Sequence, residues 1–535
     1  MGNVTRRDMI AGAAALAAFA ALPRTASAQA ASFKQAVAEA ASADKEVAAF
    51  YKSTGYAPIW TGSGTRDKAR RQHFVKAIAQ AGDHGLPASR YSPQLIETNI
   101  RGVRSERDLG RLEVEMSRLF LRYARDVQTG IVTPARVDSE LVRKVPLRSR
   151  TGLLEALTQS SPAGFFKALP PKTPEYTGLM KEKLRLERVV GKGGWGETVR
   201  AKKLERGQAG PSVVALRNRL IRMEYLKRTS QTAFDDKMVK AVAAFQHDHG
   251  LRPDGVAGPA TLGEVNKSPE DRLAQVMVAM ERERWINYPQ GRGDRHVWVN
   301  LVDFHARIYD KGRVTFETRA VVGENRRDKR TPEFSDMMEY MEINPDWTVP
   351  RSILGRDYLP KFKQNPNAAQ YLQLIDRSGR VVPRNAIDFS QYTAKTFPFT
   401  VRQPPGRSNA LGTVKFMFPN PHAIYLHDTP QRHLFQREVR DFSSGCIRLH
   451  DPHDFAYVLL KRQIKNPEPY FQGILSSRKQ TIVPLDAAVP VHLDYRTAFT
   501  EPKRRLQHRR DIYGRDARIW AAMTSAGVAL RSVRG

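Results

Sequence analysis

The periodicity of this chain changes character near residue 270, and that change limits what it can fold into. From Ser32 to Arg200, alanine, leucine and charged residues recur at helical spacing. Leu109, Leu112, Val114, Met116, Leu119 and Leu121 include i, i+3 and i+7 relations that predict a packed helix. Beyond Asp271, β-branched and aromatic residues alternate instead. His296–Val302, Val314–Gly323, Val414–Phe418, Ala423–His427 and Val489–Leu493 read as strands. At 535 residues the chain outgrows a single core. The expected fold class is α+β and multidomain. It comprises a mostly helical N-terminal unit over 32–205, a three-helix module over 211–266, and a β-rich domain over 271–497. A basic C-terminal extension follows over 498–535. Asp346–Arg407 is rich in proline, asparagine and lysine, with Leu359–Phe362 and Ala368–Leu374 reading as helical. This segment, about 346–407, is expected to be an insertion that covers a site in the β-rich domain.

Within the three-helix module, Val213, Leu216, Leu220 and Met223 share one helix face. A second helix carries Val239, Val242 and Phe245 and stops near Gly250. Asp254-Gly255 forms a turn, and Pro259 opens a third helix. Phe50, Tyr51, Tyr56 and Trp60 are expected to pack in a core. Gly191–Gly194 lacks the GK[ST] ending of a phosphate loop. His247 and His249 are expected to be solvent-exposed rather than ligands, because no further ligands stand at metal-binding spacing. No metal is expected.

Residues 1–28 read as a signal peptide: Thr5-Arg6-Arg7, an apolar stretch from Met9 to Leu22, and Ala26-Ser27-Ala28 as a cleavage pattern. The paired arginines and Arg24 make it twin-arginine-like, although an ordinary secretory signal gives the same destination outside the cytoplasm. The formal charge of +32 admits nucleic acid as a partner. Export and the absence of zinc-finger, RNP-like or basic-region patterns favour an anionic envelope instead. An exported chain with one cysteine, Cys446, forms no internal disulfide. That thiol is either inert packing or a working group.

The surroundings of Cys446 favour the second. Tyr425-Leu426-His427 ends a strand, and Ser443-Ser444-Gly445-Cys446-Ile447-Arg448 follows. A thiol nucleophile needs a base, a backbone that glycine lets approach closely, and donors for an oxyanion. Alternation puts Tyr425 and His427 on one face and His422 on the other, which favours His427 as base. Arg448 would share a face with Cys446, able to stabilise a thiolate and to bind a substrate carboxylate. His422, His433, His450 and His453 are expected at the surface or in supporting positions.

Two resemblances follow from these residues. Ala241–Gln246, Gly250-Leu251, Asp254-Gly255, Gly258 and Thr261-Leu262 resemble the PG-binding-1 peptidoglycan-binding domain. The His427 to Cys446 segment resembles the YkuD-type L,D-transpeptidase family, whose signature sets a histidine upstream of [ST]-H-G-C. His427 matches that histidine, Ser443 the [ST], Gly445 the glycine and Cys446 the nucleophile. Ser444 stands where the second histidine is usual, which loads the base function onto His427. The strings Tyr425–Pro430 and Asn409–Gly412 resemble the large periplasmic branch, which joins a helical scaffold, a PG-binding-1 module and a capped catalytic domain.

The resemblance implies acyl transfer in the periplasm. Cys446 attacks the third residue of a tetrapeptide stem and releases D-Ala, and an amine of a second stem takes the acyl group, giving a 3-3 crosslink. The backbone N–H of Cys446, with that of Gly445, would hold the oxyanion at a turn built by Ser443 and Ser444. Tyr425 and Arg448 would contact substrate. Water as acceptor would make a carboxypeptidase. Carbapenems would acylate the same thiol. Peptidoglycan is the implied partner, with peripheral envelope association and no nucleic acid, and no cofactor is required. A zinc peptidase would need an HExxH pair, which is absent. A wall-binding scaffold without activity is the other alternative.

Overall fold

The computed structural model describes residues 26–501 and 505–533. The expected leader peptide lies outside the described residues as far as residue 25. The N-terminal unit is helical, and its longest helix runs Glu106–Thr129. Phe50, Tyr51, Trp60, Phe74 and Phe120 pack into its core, and Tyr56 sits in a turn at φ 61°. One buried carboxylate organises this core. Glu113 accepts the backbone N–H groups of Ile59 (2.8 Å) and Thr61 (2.8 Å) and the Tyr51 hydroxyl (2.7 Å). With the Trp60 N–H and Thr61 hydroxyl added, five donors leave this buried carboxylate satisfied rather than costly.

The module that follows has helices Pro211–Arg222, Asp236–Asp248 and Pro259–Val265, as expected. Gln246 explains part of its sequence pattern. Its amide donates to Asp254 Oδ1 (2.9 Å) and Thr261 Oγ1 (3.0 Å) and accepts the Gly255 N–H (2.8 Å), tying the turn to both helices. The expectation for His249 is corrected. It is 5% exposed, stacked on Phe245 at 3.7 Å, with Nδ1 donating to the Phe245 carbonyl at 2.7 Å. Its apolar faces gain from burial, and the carbonyl satisfies the polar edge. His247 is exposed. Among the described residues no cluster of metal-ligating side chains occurs.

A second correction concerns where strands begin. Pro269–Trp285 is a helix, buried on all sides from Val276 onward, not the start of the β-rich domain. Its apolar side joins the core of the helical modules, and its charged end meets partners inside the protein. Arg282 pairs with Glu333 and, at 3.1 Å, with Asp516, and Arg284 pairs with Glu281 at 3.0 Å. A helix enclosed in this way has no solvent face, so its sequence lacks the amphipathic signal.

The strands of the β-rich domain are β1 (Arg295–Asn300), β2 (His305–Asp310), β3 (Arg313–Gly323) and β4 (Phe334–Ile343). The insertion adds β5 (Trp347–Thr348), β6 (Gln373–Ile375) and β7 (Thr400–Gln403). Then come β8 (Val414–Met417), β9 (Leu426–His427), β10 (Asp441–Ser443), β11 (Ile447–Leu449) and β12 (Thr481–Asp494). The main sheet runs β10-β3-β11-β9-β8-β4-β12-β1-β2, and because β2 also pairs with β3 the strands close on themselves.

The insertion is a small subdomain. The three strands β5-β7-β6 and a core of Trp347, Leu354, Leu359, Phe362, Phe389 and Phe397 hold it together. Leu359–Gln364 is helical as expected, but Ala368–Leu374 is not. The Arg384 guanidinium takes the carbonyls of Ala368 (2.6 Å), Ala369 (2.9 Å) and Leu372 (2.7 Å), so they are satisfied without a helix. The residues after 497 fold back rather than trailing away. Ala498–Phe499 pairs with Gln507–His508, and the helix Arg515–Ser525 buries Ile519 and Met523 against the helical modules.

Candidate active site

Cys446 occupies the turn between β10 and β11. β11 lies parallel to β9 with Ile447 opposite Leu426 and Arg448 opposite His427, so Cys446 stands beside Tyr425. Residues two apart on a strand share a face, and the parallel register therefore gathers Tyr425, His427, Cys446 and Arg448 on one side of the sheet. The Tyr425 and His427 rings lie 5.6 Å apart. The sequence expected this grouping.

The approach to Cys446 differs from the expected continuous strand. Pairing in β9 covers only Leu426–His427, because Ala423 takes φ 53° and Asn420 holds the turn through the Ile424 carbonyl at 2.7 Å. The Ala423 carbonyl thereby faces the half-buried Cys446, whose Sγ–H donates to it at 3.5 Å. Gly445 adopts φ +123°, a conformation that favours glycine. Its N–H donates to Ser443 Oγ at 3.1 Å, and that hydroxyl donates to the Cys446 carbonyl at 2.6 Å. This corrects one expectation: the Gly445 N–H is engaged inside the turn and does not point at a substrate oxygen. Ser444 is exposed and accepts a hydrogen bond from Arg356 of the insertion at 3.1 Å.

His427 is buried, and its Nδ1 donates to the Asp428 carbonyl at 2.5 Å. That contact places the proton on Nδ1 and leaves Nε2 as the basic nitrogen. Burial, reinforced by the Arg448 charge, pushes the ring down to about 3, although the carbonyls of Asp428 and Leu411 act the other way. Burial also pushes the Cys446 thiol up, offset in part by hydrogen bonds from Tyr425 and by the Arg448 and Lys415 charges. Thiol and imidazole thus rest neutral. Burial pushes the Tyr425 hydroxyl well up, so it remains a neutral donor beside Cys446.

Arg448 donates through Nη1 to Gln431 Oε1 at 2.6 Å, while its buried Nε meets no protein acceptor. It lines a cleft with Trp347, Tyr358, Tyr371, Gln403 and Gln431, where the insertion faces the sheet. Sequence reasoning missed these aromatic residues of the insertion, whose signal, an aromatic-rich segment inside a proposed lid, was present. The remaining histidines stand apart from the thiol. His450 bonds Arg319 at 2.9 Å and Asp451 at 2.7 Å, His453 bonds Thr413 at 2.7 Å, His422 packs near Phe334, and His433 is exposed.

Comparison with known proteins fits this arrangement. Residues 294–463 match the L,D-transpeptidase catalytic domain (YkuD), residues 209–264 the "Putative peptidoglycan binding domain", and residues 45–182 the Scaffold domain. A protein of Haemophilus influenzae named "Putative L,D-transpeptidase" is 38% identical over 257 residues, 48% of this chain and 51% of that protein. The chain therefore spans about half the length of the curated relative it matches. Crystal structures of L,D-transpeptidases from Xylanimonas cellulosilytica and Stackebrandtia nassauensis each align with 56% of this chain. They cover 100% and 98% of their own chains at 15% and 12% identity, and TM-scores of 0.17 and 0.21 give them no weight here. The chain thus carries an L,D-transpeptidase catalytic domain (YkuD) together with a Scaffold domain and a peptidoglycan-binding domain.

Proposed function

We propose that this protein is a peptidoglycan L,D-transpeptidase that uses Cys446 as nucleophile and His427 as general base. The observation that carries this reading is the shared face of Tyr425, His427, Cys446 and Arg448 beside a cleft roofed by the insertion. The imidazole takes the thiol proton as Sγ attacks the carbonyl carbon of the third residue in a tetrapeptide stem. A C–S bond forms and the carbonyl oxygen becomes an oxyanion held by the Cys446 N–H. Collapse breaks the C–N bond to the terminal D-Ala, whose nitrogen receives the proton from the imidazolium. The side-chain amine of a second stem then attacks the thioester, forming a C–N bond and returning the proton and thiol. The product is a 3-3 crosslink.

Arg448 suits a stem carboxylate, since it lines the cleft and its Nε has no protein partner. The paired arginines Arg6 and Arg7 support export, and the peptidoglycan-binding module supports a periplasmic substrate. The same thiol is the site for carbapenem acylation. Purified protein incubated with tetrapeptide-rich sacculi should release D-Ala and yield 3-3 crosslinked muropeptides by mass spectrometry, and Cys446→Ala should yield neither. Crosslinking by the Cys446→Ala protein would refute the nucleophile. D-Ala release without crosslinks would make the protein a carboxypeptidase. Sacculus binding with no D-Ala release would leave a wall-binding scaffold.

A further inference from the structure

We infer that Thr331 is a positioning residue of the acyl-transfer site: its hydroxyl sets the plane of the Gly445–Cys446 peptide and so aims the Cys446 N–H at the oxyanion. The inference rests on the acyl-transfer reading above.

Thr331 lies in the loop between β3 and β4, far in sequence from Cys446, and is fully buried. Its Oγ1 donates to the Gly445 carbonyl at 2.7 Å and accepts the Gly323 N–H at 2.9 Å. With donor and acceptor both engaged, the hydroxyl has one orientation. A trans peptide is planar, and its C=O and N–H point in opposite directions. Holding the Gly445 carbonyl against Thr331 therefore turns the Cys446 N–H away from Thr331. The flanking amides have other duties: the Gly445 N–H goes to Ser443 Oγ, and the Ile447 N–H goes to the Tyr425 carbonyl at 3.0 Å. Among the described residues no acceptor takes the Cys446 N–H. That leaves one backbone donor at the nucleophile, aimed by one hydroxyl.

Glycine at 445 is favoured by its φ of +123°, not by a close approach of the Thr331 loop. A Cβ there would stand 3.1 Å from Ile424 Cδ1 and 3.6 Å from the Lys329 carbonyl, in the loop that carries Thr331. Thr331 is itself held from behind by the folded-back C-terminal segment. Arg515 donates to the Thr331 carbonyl at 2.9 Å while pairing with Glu333 (3.1 Å) and Glu140 (3.0 Å). The Tyr513 hydroxyl donates to the carbonyl of Gly323, the residue whose N–H bonds Thr331.

The test compares full-length wild type, Thr331→Val and Thr331→Ser in two reactions of the same thiol. Acylation by a carbapenem or an activated ester passes through an oxyanion; alkylation by iodoacetamide does not. Acylation of Thr331→Val should fall about 10- to 100-fold, less than the ~10²–10³-fold cost of deleting an oxyanion donor outright, with alkylation within about twofold of wild type. Thr331→Ser, which keeps the hydroxyl, should recover most of the acylation rate. Wild-type acylation by Thr331→Val, an equal loss in both reactions, or a serine variant no better than valine would each overturn the assignment. D-Ala release from stems by wild type tests the functional reading separately. If wild type acylates with the ester but leaves stems intact, that reading fails while the Thr331 comparison still stands or falls by itself.

Discussion

The guanidinium of Arg356 in the capping insertion donates to the hydroxyl of Ser444 at 3.1 Å, two residues before Cys446. The same guanidinium pairs with Asp328 (2.9 Å) and Asp357 (3.0 Å). Ser444 stands where the family usually has a second histidine, and here its side chain serves as a catch for the cap. A partly exposed pair of this kind is worth ~1 kcal/mol or less. Arg356→Ala should therefore raise the rate of Cys446 alkylation by up to about fivefold, the factor that ~1 kcal/mol allows. High salt should move wild type in the same direction. An unchanged rate in both experiments would show that the catch does not govern access.

The protonation of the pair sets a pH signature. Burial holds the thiol above its ordinary range and holds His427 down to about 3, so both are neutral between pH 4 and 8. The reactive thiolate fraction should then rise about tenfold per pH unit through this range, without a plateau. Alkylation of Cys446 followed against pH checks this. A plateau beginning below pH 7 would mean that a thiolate–imidazolium pair forms in the resting protein.

Asp428 supports His427 from behind. Its carboxylate accepts Thr413 N–H (2.9 Å), Thr413 Oγ–H (2.8 Å) and Thr429 N–H (2.7 Å), tying the strand of His427 to the loop that presents the Leu411 carbonyl. Asp428→Ala should cost ~1–3 kcal/mol of stability through the buried donors left unpaired. It should also lower kcat more than KM. Gly412→Ala should act alike, since Gly412 has φ +64° and its new Cβ would collide with the Asp428 carboxylate. Thermal unfolding and steady-state rates on both variants decide the matter.

Arg515 is completely buried between Glu333 and Glu140. Arg515→Ala strands the Glu333 carboxylate with Arg282 alone, and breaking such a buried pair costs ~3–5 kcal/mol. The first unfolding transition should shift down by several degrees, and acylation of Cys446 should slow with it. Loss of stability with no change in acylation would separate the ion network from the site.

Local chemistry was legible in the sequence. The spacing of Cys446, Gly445 and His427, the Gln246 to Thr261 pattern and the strand alternation around His296 and Val314 all survive in the structure, because each is written as a motif or a period in one stretch of chain. What stayed hidden depends on packing and pairing that no motif or period announces. Thr331 carries no periodic signal, and its meaning comes from the carbonyl of Gly445. The helix Pro269–Trp285 hid because its charged residues are paired internally, and His249 because a backbone carbonyl substitutes for water. Ala368–Leu374 has helical composition, yet Arg384 claims the carbonyls that a helix would use.

The C-terminal segment folds back behind Thr331, so the order of synthesis matters. Tyr513 and Arg515 follow Cys446 in the chain, and they add their bonds to a Thr331 loop that Glu140 and Arg282 already hold at Glu333. Domains tend to fold in the order in which they emerge, but this catalytic unit has to wait. Without these two residues, the Thr331 and Gly323 carbonyls would lose the donors that now face them.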